Sequence, residues 1–246
     1  MPGLNIAAFT HRGRVREVNE DILSINDRII AGNMAEPFVA SNLQAPCVLM
    51  IADGMGGHVH GATASRGILD YLVVALDRLA NPASCVEVID EANQHLFSIM
   101  HERVETAGMG STVVGAILKG YQLFIFNVGD SRCYLSSRGH LLQLSHDDVE
   151  SNDRSSTHRS HGLTQALGGS LLPIRIEPHV AIEPPLAAGE TLLLCSDGLT
   201  DMVPDNIIRA ALNKYSDPAM AFRNLAARAF EAGAHDNLSL VVARPV

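Results

Sequence analysis

At 246 residues, with 47% hydrophobic and 18% charged side chains, the chain has enough apolar surface for a large buried core and too little charge for a long disordered arm. Its net charge of −9, with no basic stretch, excludes a surface built to neutralise nucleic-acid phosphates. No run approaches the roughly 18 apolar residues that span a bilayer, and residues 1–10 lack the basic-then-apolar order of an export signal, so a soluble cytoplasmic protein is expected.

In chain order, short β-branched or large apolar runs predict strands at 6–9 and 47–52. Two long helical patterns follow, 62–79 and 83–105, broken at Asn81-Pro82, where proline removes a donor and restricts its neighbour. Runs 112–118 and 122–128, joined by Lys119-Gly120-Tyr121, read as an antiparallel hairpin, and 133–135 as a further strand. The segment 147–162 is polar and aperiodic, which predicts a loop or flap. A strand at 191–195, helices at 205–214 and 218–231 and a strand at 238–243 complete the pass. Strands grouped with strands and helices with helices argue for antiparallel sheets covered by helix pairs, in one domain over 1–246. Cys47, Cys85, Cys133 and Cys195 lack metal-site spacing and are expected as buried thiols.

Apolar runs repeatedly end in a carboxylate: Ile51-Ala52-Asp53-Gly54, Asn127-Val128-Gly129-Asp130 and Leu194-Cys195-Ser196-Asp197-Gly198. To these add Asn19-Glu20-Asp21 and His235-Asp236-Asn237. One Asp-Gly alone reads as a turn. Five carboxylate sites at the strand ends of one sheet system would converge on an edge and raise each other's pKa values, and hard divalent cations such as Mg2+ or Mn2+ are their natural occupants.

The ordered set Arg14-Val15-Arg16-Glu17-Val18-Asn19-Glu20-Asp21, Asp53-Gly54-Met55-Gly56-Gly57-His58, Gly110-Ser111-Thr112, Gly129-Asp130-Ser131-Arg132, Leu163-Thr164-Gln165-Ala166-Leu167-Gly168, Ser196-Asp197-Gly198-Leu199-Thr200-Asp201 and Asp236-Asn237 resembles the metal-dependent serine/threonine protein phosphatases of type 2C in their bacterial form. The resemblance implies an α+β fold, a four-layer α-β-β-α sandwich in which two central antiparallel sheets are flanked by helix pairs. It implies two divalent cations, with Asp53 bridging both, the Gly54 carbonyl on one, Asp197 and Asp236 on the first and Glu20 on the second. Asp21 would ligate or hold metal-bound water, and Asp130 with Asp201 would hold a third, weaker cation. Arg16 falls at the phosphate-binding position and shares the catalytic role with Asp53. A hydroxide bridging the metals would attack phosphorus without a phosphoenzyme.

The substrates implied are phosphorylated proteins, modified by a bacterial serine/threonine kinase, with the chain acting as a monomer. Met55 stands where some relatives carry a proton-donating histidine, which leaves the general acid open. His58 and His60 lie nearby, yet a histidine in a glycine-rich loop is more often solvated. The flap, at about 147–163, is shorter than in many bacterial relatives. No Gly-Lys-Ser/Thr follows the glycines at 54–57, and Gly108-Met109-Gly110-Ser111 lacks hydrolase-elbow spacing. A catalytically silent phosphoprotein-binding regulator of the same fold, or a hydrolase of small phosphoesters, stand as alternatives.

Overall fold

The computed structural model describes residues 3–55, 60–150 and 162–246. Strands β1 (Leu4–His11), β2 (Asp21–Ile25), β3 (Arg28–Ala31), β4 (Phe38–Leu43) and β5 (Cys47–Met55) lead into helices α1 (His60–Val74) and α2 (Pro82–Glu102). Strands β6 (Gly110–Ser111), β7 (Val113–Lys119), β8 (Gln122–Val128), β9 (Arg132–Ser137), β10 (His140–Gln143), β11 (Leu167–Gly168), β12 (His179–Glu183) and β13 (Thr191–Cys195) follow. Helices α3 (Asp197–Thr200), α4 (Asp205–Lys214) and α5 (Pro218–Glu231) precede the last strand, β14 (Leu238–Pro245).

One sheet runs β10-β9-β13-β14-β1-β4; the other runs β11-β6-β5-β7-β8-β12, with β2 beside β5 and β3 beside β2. The strand pairings between neighbours are antiparallel. The central strands are apolar on both faces because each face is covered. In β5, Val48, Met50 and Ala52 pack with α1 and α2, while Cys47, Leu49 and Ile51 pack against the other sheet. In β13, Leu192 and Leu194 enter the space between the sheets, and Leu193 and Cys195 turn toward α4 and α5. This period-2 division builds three apolar interfaces between four layers, the α-β-β-α sandwich.

Helices α4 and α5 match the sequence reading. The first helical pattern, by contrast, gives way after Val74 to a 3-10 turn, Leu76–Arg78, whose tighter bonds (Arg78 N–H to Ala75 O, 2.9 Å) fold the chain back so that Leu79 is buried. Asn81 then caps α2: its side chain accepts the Ser84 N–H at 3.1 Å, the Ser84 hydroxyl accepts the Asn81 N–H at 3.1 Å, and Pro82 takes the first turn, where no donor is needed. The hairpin between β7 and β8 is one residue tighter at its start than expected, because Lys119 pairs with Gln122. Strands β2, β3, β4, β6, β10, β11 and β12 were not foreseen: β3, β4, β10 and β12 are short, partly exposed and lie at or beside sheet edges, where the apolar signal is weak, β6 and β11 are two residues long, and β2, though buried, has only five.

Antiparallel register brings the acidic strand ends together. Asp21 at the start of β2 lies opposite Asp53 near the end of β5, and Val113 opposite Val128 carries the end of β8 to the same side. Cys195 opposite Leu240, and His11 opposite Leu238, bring the ends of β13 and β1 and the start of β14 to one edge.

Candidate metal centre

Asp53 leaves the apolar run of β5 with its carbonyl already committed, accepting the Thr112 N–H at 2.9 Å and the Ser111 hydroxyl at 3.0 Å. Its neighbour Gly54 touches the start of α1 so closely that a Cβ there would meet the Gly61 carbonyl oxygen at 2.0 Å, and a Cβ on Gly61 would meet Glu20 Oε1 at 2.5 Å. Two glycines are therefore what lets β5, α1 and Glu20 meet. Glu20 accepts the Gly61 N–H on Oε1 at 3.1 Å, and its own N–H donates to Asn237 Oδ1 at 2.8 Å.

Asp21 is fully buried. Its Oδ2 accepts the Ser196 hydroxyl at 2.7 Å, whereas its Oδ1 has no hydrogen-bond partner. Burial pushes its pKa up to about 6. Burial also raises Asp53 well above the usual carboxylate range, and the charges of Asp21, Asp197, Asp130 and Asp236 raise it further. Asp197, the first residue of α3, is raised well above that range by burial and then by Asp130, Asp236 and Asp201. Asp130, just beyond β8, is pushed up to about 6 by burial and by its acidic neighbours Asp147 and Asp201. In all four, burial is the larger cause, and the neighbouring negative charges add to it.

Arg16 is the cation on the rim: its Nη2 donates to Asp236 Oδ2 at 2.6 Å. Asn237, whose role the sequence did not reveal, ties the Arg16 loop down by donating from Nδ2 to the carbonyls of Arg12 (3.1 Å) and Val18 (3.0 Å). Thr112 and Ser131 share a hydroxyl contact of 2.8 Å, and the Thr112 hydroxyl also accepts the Asp53 N–H at 3.3 Å.

A cleft of about 830 Å3 opens over this edge, lined by Arg16, Glu20, Asp53, Gly54, Asp130, Asp197 and Asp236 among others. Asp21 lies beneath it, and Asp201 stands exposed one helical turn after Asp197. Met55 and Leu163 form apolar parts of the wall. His58 and most of the 147–163 segment lie outside the described residues, and His60 heads α1 without lining the cleft. The donor set is oxygen throughout and mostly anionic, and with the orphaned Asp21 Oδ1 it fits hard divalent cations. Nucleophilic thiols are absent from the described residues' chemistry: burial pushes Cys47 and Cys195 up to about 12 and Cys85 up to about 11.

The protein phosphatase 2C family profile matches residues 37–239. Serine/threonine phosphatase stp of Listeria welshimeri is 30% identical over 254 aligned residues, spanning 95% of this chain and 92% of its own. Among solved structures, the catalytic domain of the serine/threonine protein phosphatase PstP in complex with 2 manganese ions is 30% identical, with a TM-score of 0.79 over 100% of both chains. PppA, a key regulatory component of T6SS in Pseudomonas aeruginosa, is 28% identical, with a TM-score of 0.75 over 99% of this chain and 98% of its own.

Proposed function

The chain belongs to the protein phosphatase 2C family, and from that membership we propose that its acidic cleft removes phosphate from phosphoserine and phosphothreonine of other proteins. The observation that carries the reading is the convergence of Asp53, Asp130, Asp197 and Asp236 on one cleft whose rim holds Arg16. A floor of carboxylates repels a phosphoryl dianion, so such a substrate enters only after cations have reversed the local charge. Two divalent cations, Mn2+ as in the PstP complex or Mg2+, would supply acidified water and charge neutralisation when bound there.

Asp53 is assigned to both cations, Asp197 and Asp236 to one and Glu20 to the other, with the Gly54 carbonyl as a further ligand. Asp21, anchored by Ser196, holds the site from beneath. Asp130 and Asp201 form an adjacent acidic pair suited to a third, weaker cation and to the leaving-group side of the cleft. Arg16 grips the phosphoryl oxygens: Nη2 holds Asp236, and the planar fork offers further N–H donors to the anion. Residues 1–246 act as one phosphatase domain, with the segment at about 147–163 as a short flap, of which Leu163 reaches the cleft wall. The finer reading places the enzyme in the cytoplasm as a monomer opposing a bacterial serine/threonine kinase; no helix among the described residues is long and apolar enough to cross a membrane.

The test is hydrolysis of a phosphothreonine peptide by chelator-stripped protein. Activity is expected only after Mn2+ or Mg2+ is returned, and Asp53→Asn should abolish most of it, because it removes the charge shared by both cations. Full turnover in excess chelator, or an Asp53→Asn variant as active as the parent, would overturn the assignment. A panel of phosphopeptides against small phosphate esters separates protein substrates from metabolites.

A further inference from the structure

A second group of ligating side chains lies at the edge of the same end of the sandwich, outside the cleft. His146, Asp148 and His179 each bring a donor atom to within 4.8 Å of the other two. Between His146 and Asp148, Asp147 instead receives Arg132 Nη2 at 2.6 Å. His179 opens β12, the edge strand, directly across from Asn127 of β8. The two imidazoles are adjacent, with ring centroids 4.5 Å apart and planes tilted by 32°.

The surrounding hydrogen bonds hold these ligands in place. Asn127 locks the His146 backbone from both sides, accepting its N–H at 3.0 Å and donating to its carbonyl at 2.6 Å. The buried Asp148 accepts the Gly129 N–H on Oδ2 at 2.8 Å, which leaves Oδ1 directed at His179 Nε2, 2.8 Å away. Gln165 Nε2 lies 3.4 Å from that same ring nitrogen. A hydrogen-bonded His-Asp pair alone would not require His146, whose exposed ring nonetheless closes the triangle.

We propose that His146, Asp148 and His179 form a separate site for a zinc-class cation. Two imidazole nitrogens and one carboxylate oxygen favour borderline metals such as Zn2+, whereas the all-oxygen cleft suits Mg2+ and Mn2+. Binding balances without an added reactant: the His179 proton moves to Nδ1, and the cation takes the Nε2 lone pair. The carboxylate stays bonded to the Gly129 N–H, as ligating carboxylates commonly are to a neighbouring donor. Since Asp148 also exchanges backbone bonds with Gly129 (3.1 Å) and Thr164 (2.9 Å), the cation would clamp the turn that precedes Asp130 to the base of the 147–163 segment.

The test titrates Zn2+ into the chelator-stripped 246-residue chain against a chromogenic zinc indicator, in millimolar Mg2+ to fill the carboxylate cleft. A single tight Zn2+ per chain is expected, weakened at least about tenfold in both His146→Ala and His179→Gln and retained in Asp53→Asn. Co2+ should give a visible ligand-field absorption in the parent that is missing from His179→Gln, with thermal unfolding used to verify that each variant is folded. Unchanged Zn2+ affinity in the two histidine variants, or its loss in Asp53→Asn, would overturn the proposal, the latter by placing zinc in the cleft. No Zn2+ binding above that of Mg2+ would reduce the triad to a hydrogen-bonded pair. Because phosphatase activity is not the readout, the outcome stands apart from that of the cleft assignment.

Discussion

Arg16 and Asp236 meet at 2.6 Å, so a cation held by Asp236 as proposed would compete with the guanidinium for one carboxylate. Arg16→Ala should therefore lower kcat/KM by about 2 kcal/mol, roughly thirtyfold, through loss of a charge-assisted bond to phosphate. Mn2+ affinity measured by calorimetry should not fall; a parallel loss of metal binding would make Arg16 a structural residue of the metal site instead. Asp130 makes a different demand. Met55 has no proton to give, and Asp130 is the cleft carboxyl proposed, with Asp201, for the leaving-group side. Asp130→Ala should cost far more turnover on phosphothreonine peptide than on a p-nitrophenyl ester, whose phenolate departs without full protonation. Equal losses on both substrates, with the two tighter cations still bound, would remove Asp130 from the leaving-group side.

At the scale of elements, the helix pair α1 and α2 covers one sheet and is punctuated by Asn81-Pro82. The reciprocal bonds between Asn81 and Ser84 satisfy donors that α2 otherwise leaves open, so Asn81→Ala should cost about 1 kcal/mol in urea unfolding. Peptide hydrolysis should not change, since neither Asn81 nor Ser84 lines the cleft; an activity loss at intact stability would tie this turn to the cleft. The meeting of β5 with α1 tolerates much less. Gly54→Ala drives a methyl into backbone, the Gly61 carbonyl, rather than into a movable side chain, and denaturation should show a loss larger than that of the cap.

For the whole molecule, the carboxyl cluster ties stability to pH. Asp21 and Asp130 are raised to about 6 in the folded chain, against roughly 3.9 for an unfolded aspartate. The cation-free folded state consequently binds more protons than the unfolded chain between these values. The cluster's contribution is fully present below about pH 4 and is lost as pH rises through 6, with Asp53 and Asp197 extending the loss upward. Divalent cations take over from protons, so the Mn2+-induced rise in Tm should be larger at pH 7.5 than at pH 5. An equal or smaller rise at pH 7.5 would contradict the shared-charge account of the site.

The amino-acid order by itself determined much of this. Runs such as 47–52 and 192–195 are apolar at every position because both faces of their strands are covered, and the 3.6-residue patterns of α4 and α5 mark single-sided burial. Carboxylates at the ends of those runs were visible as a set, since a strand end followed by glycine is a local feature. Only the tertiary structure decided which of them share a cleft, because antiparallel register between β2 and β5, and between β13 and β14, fixes neighbours far apart in the chain, as Asp21 opposite Asp53 and Cys195 opposite Leu240. The edge strands escaped notice for the opposite reason, their half-exposed faces giving no continuous apolar signal. The staple made by Asn237, and the triangle of His146, Asp148 and His179, were equally hidden. Each depends on side chains from separate segments converging, which spacing along the chain does not encode.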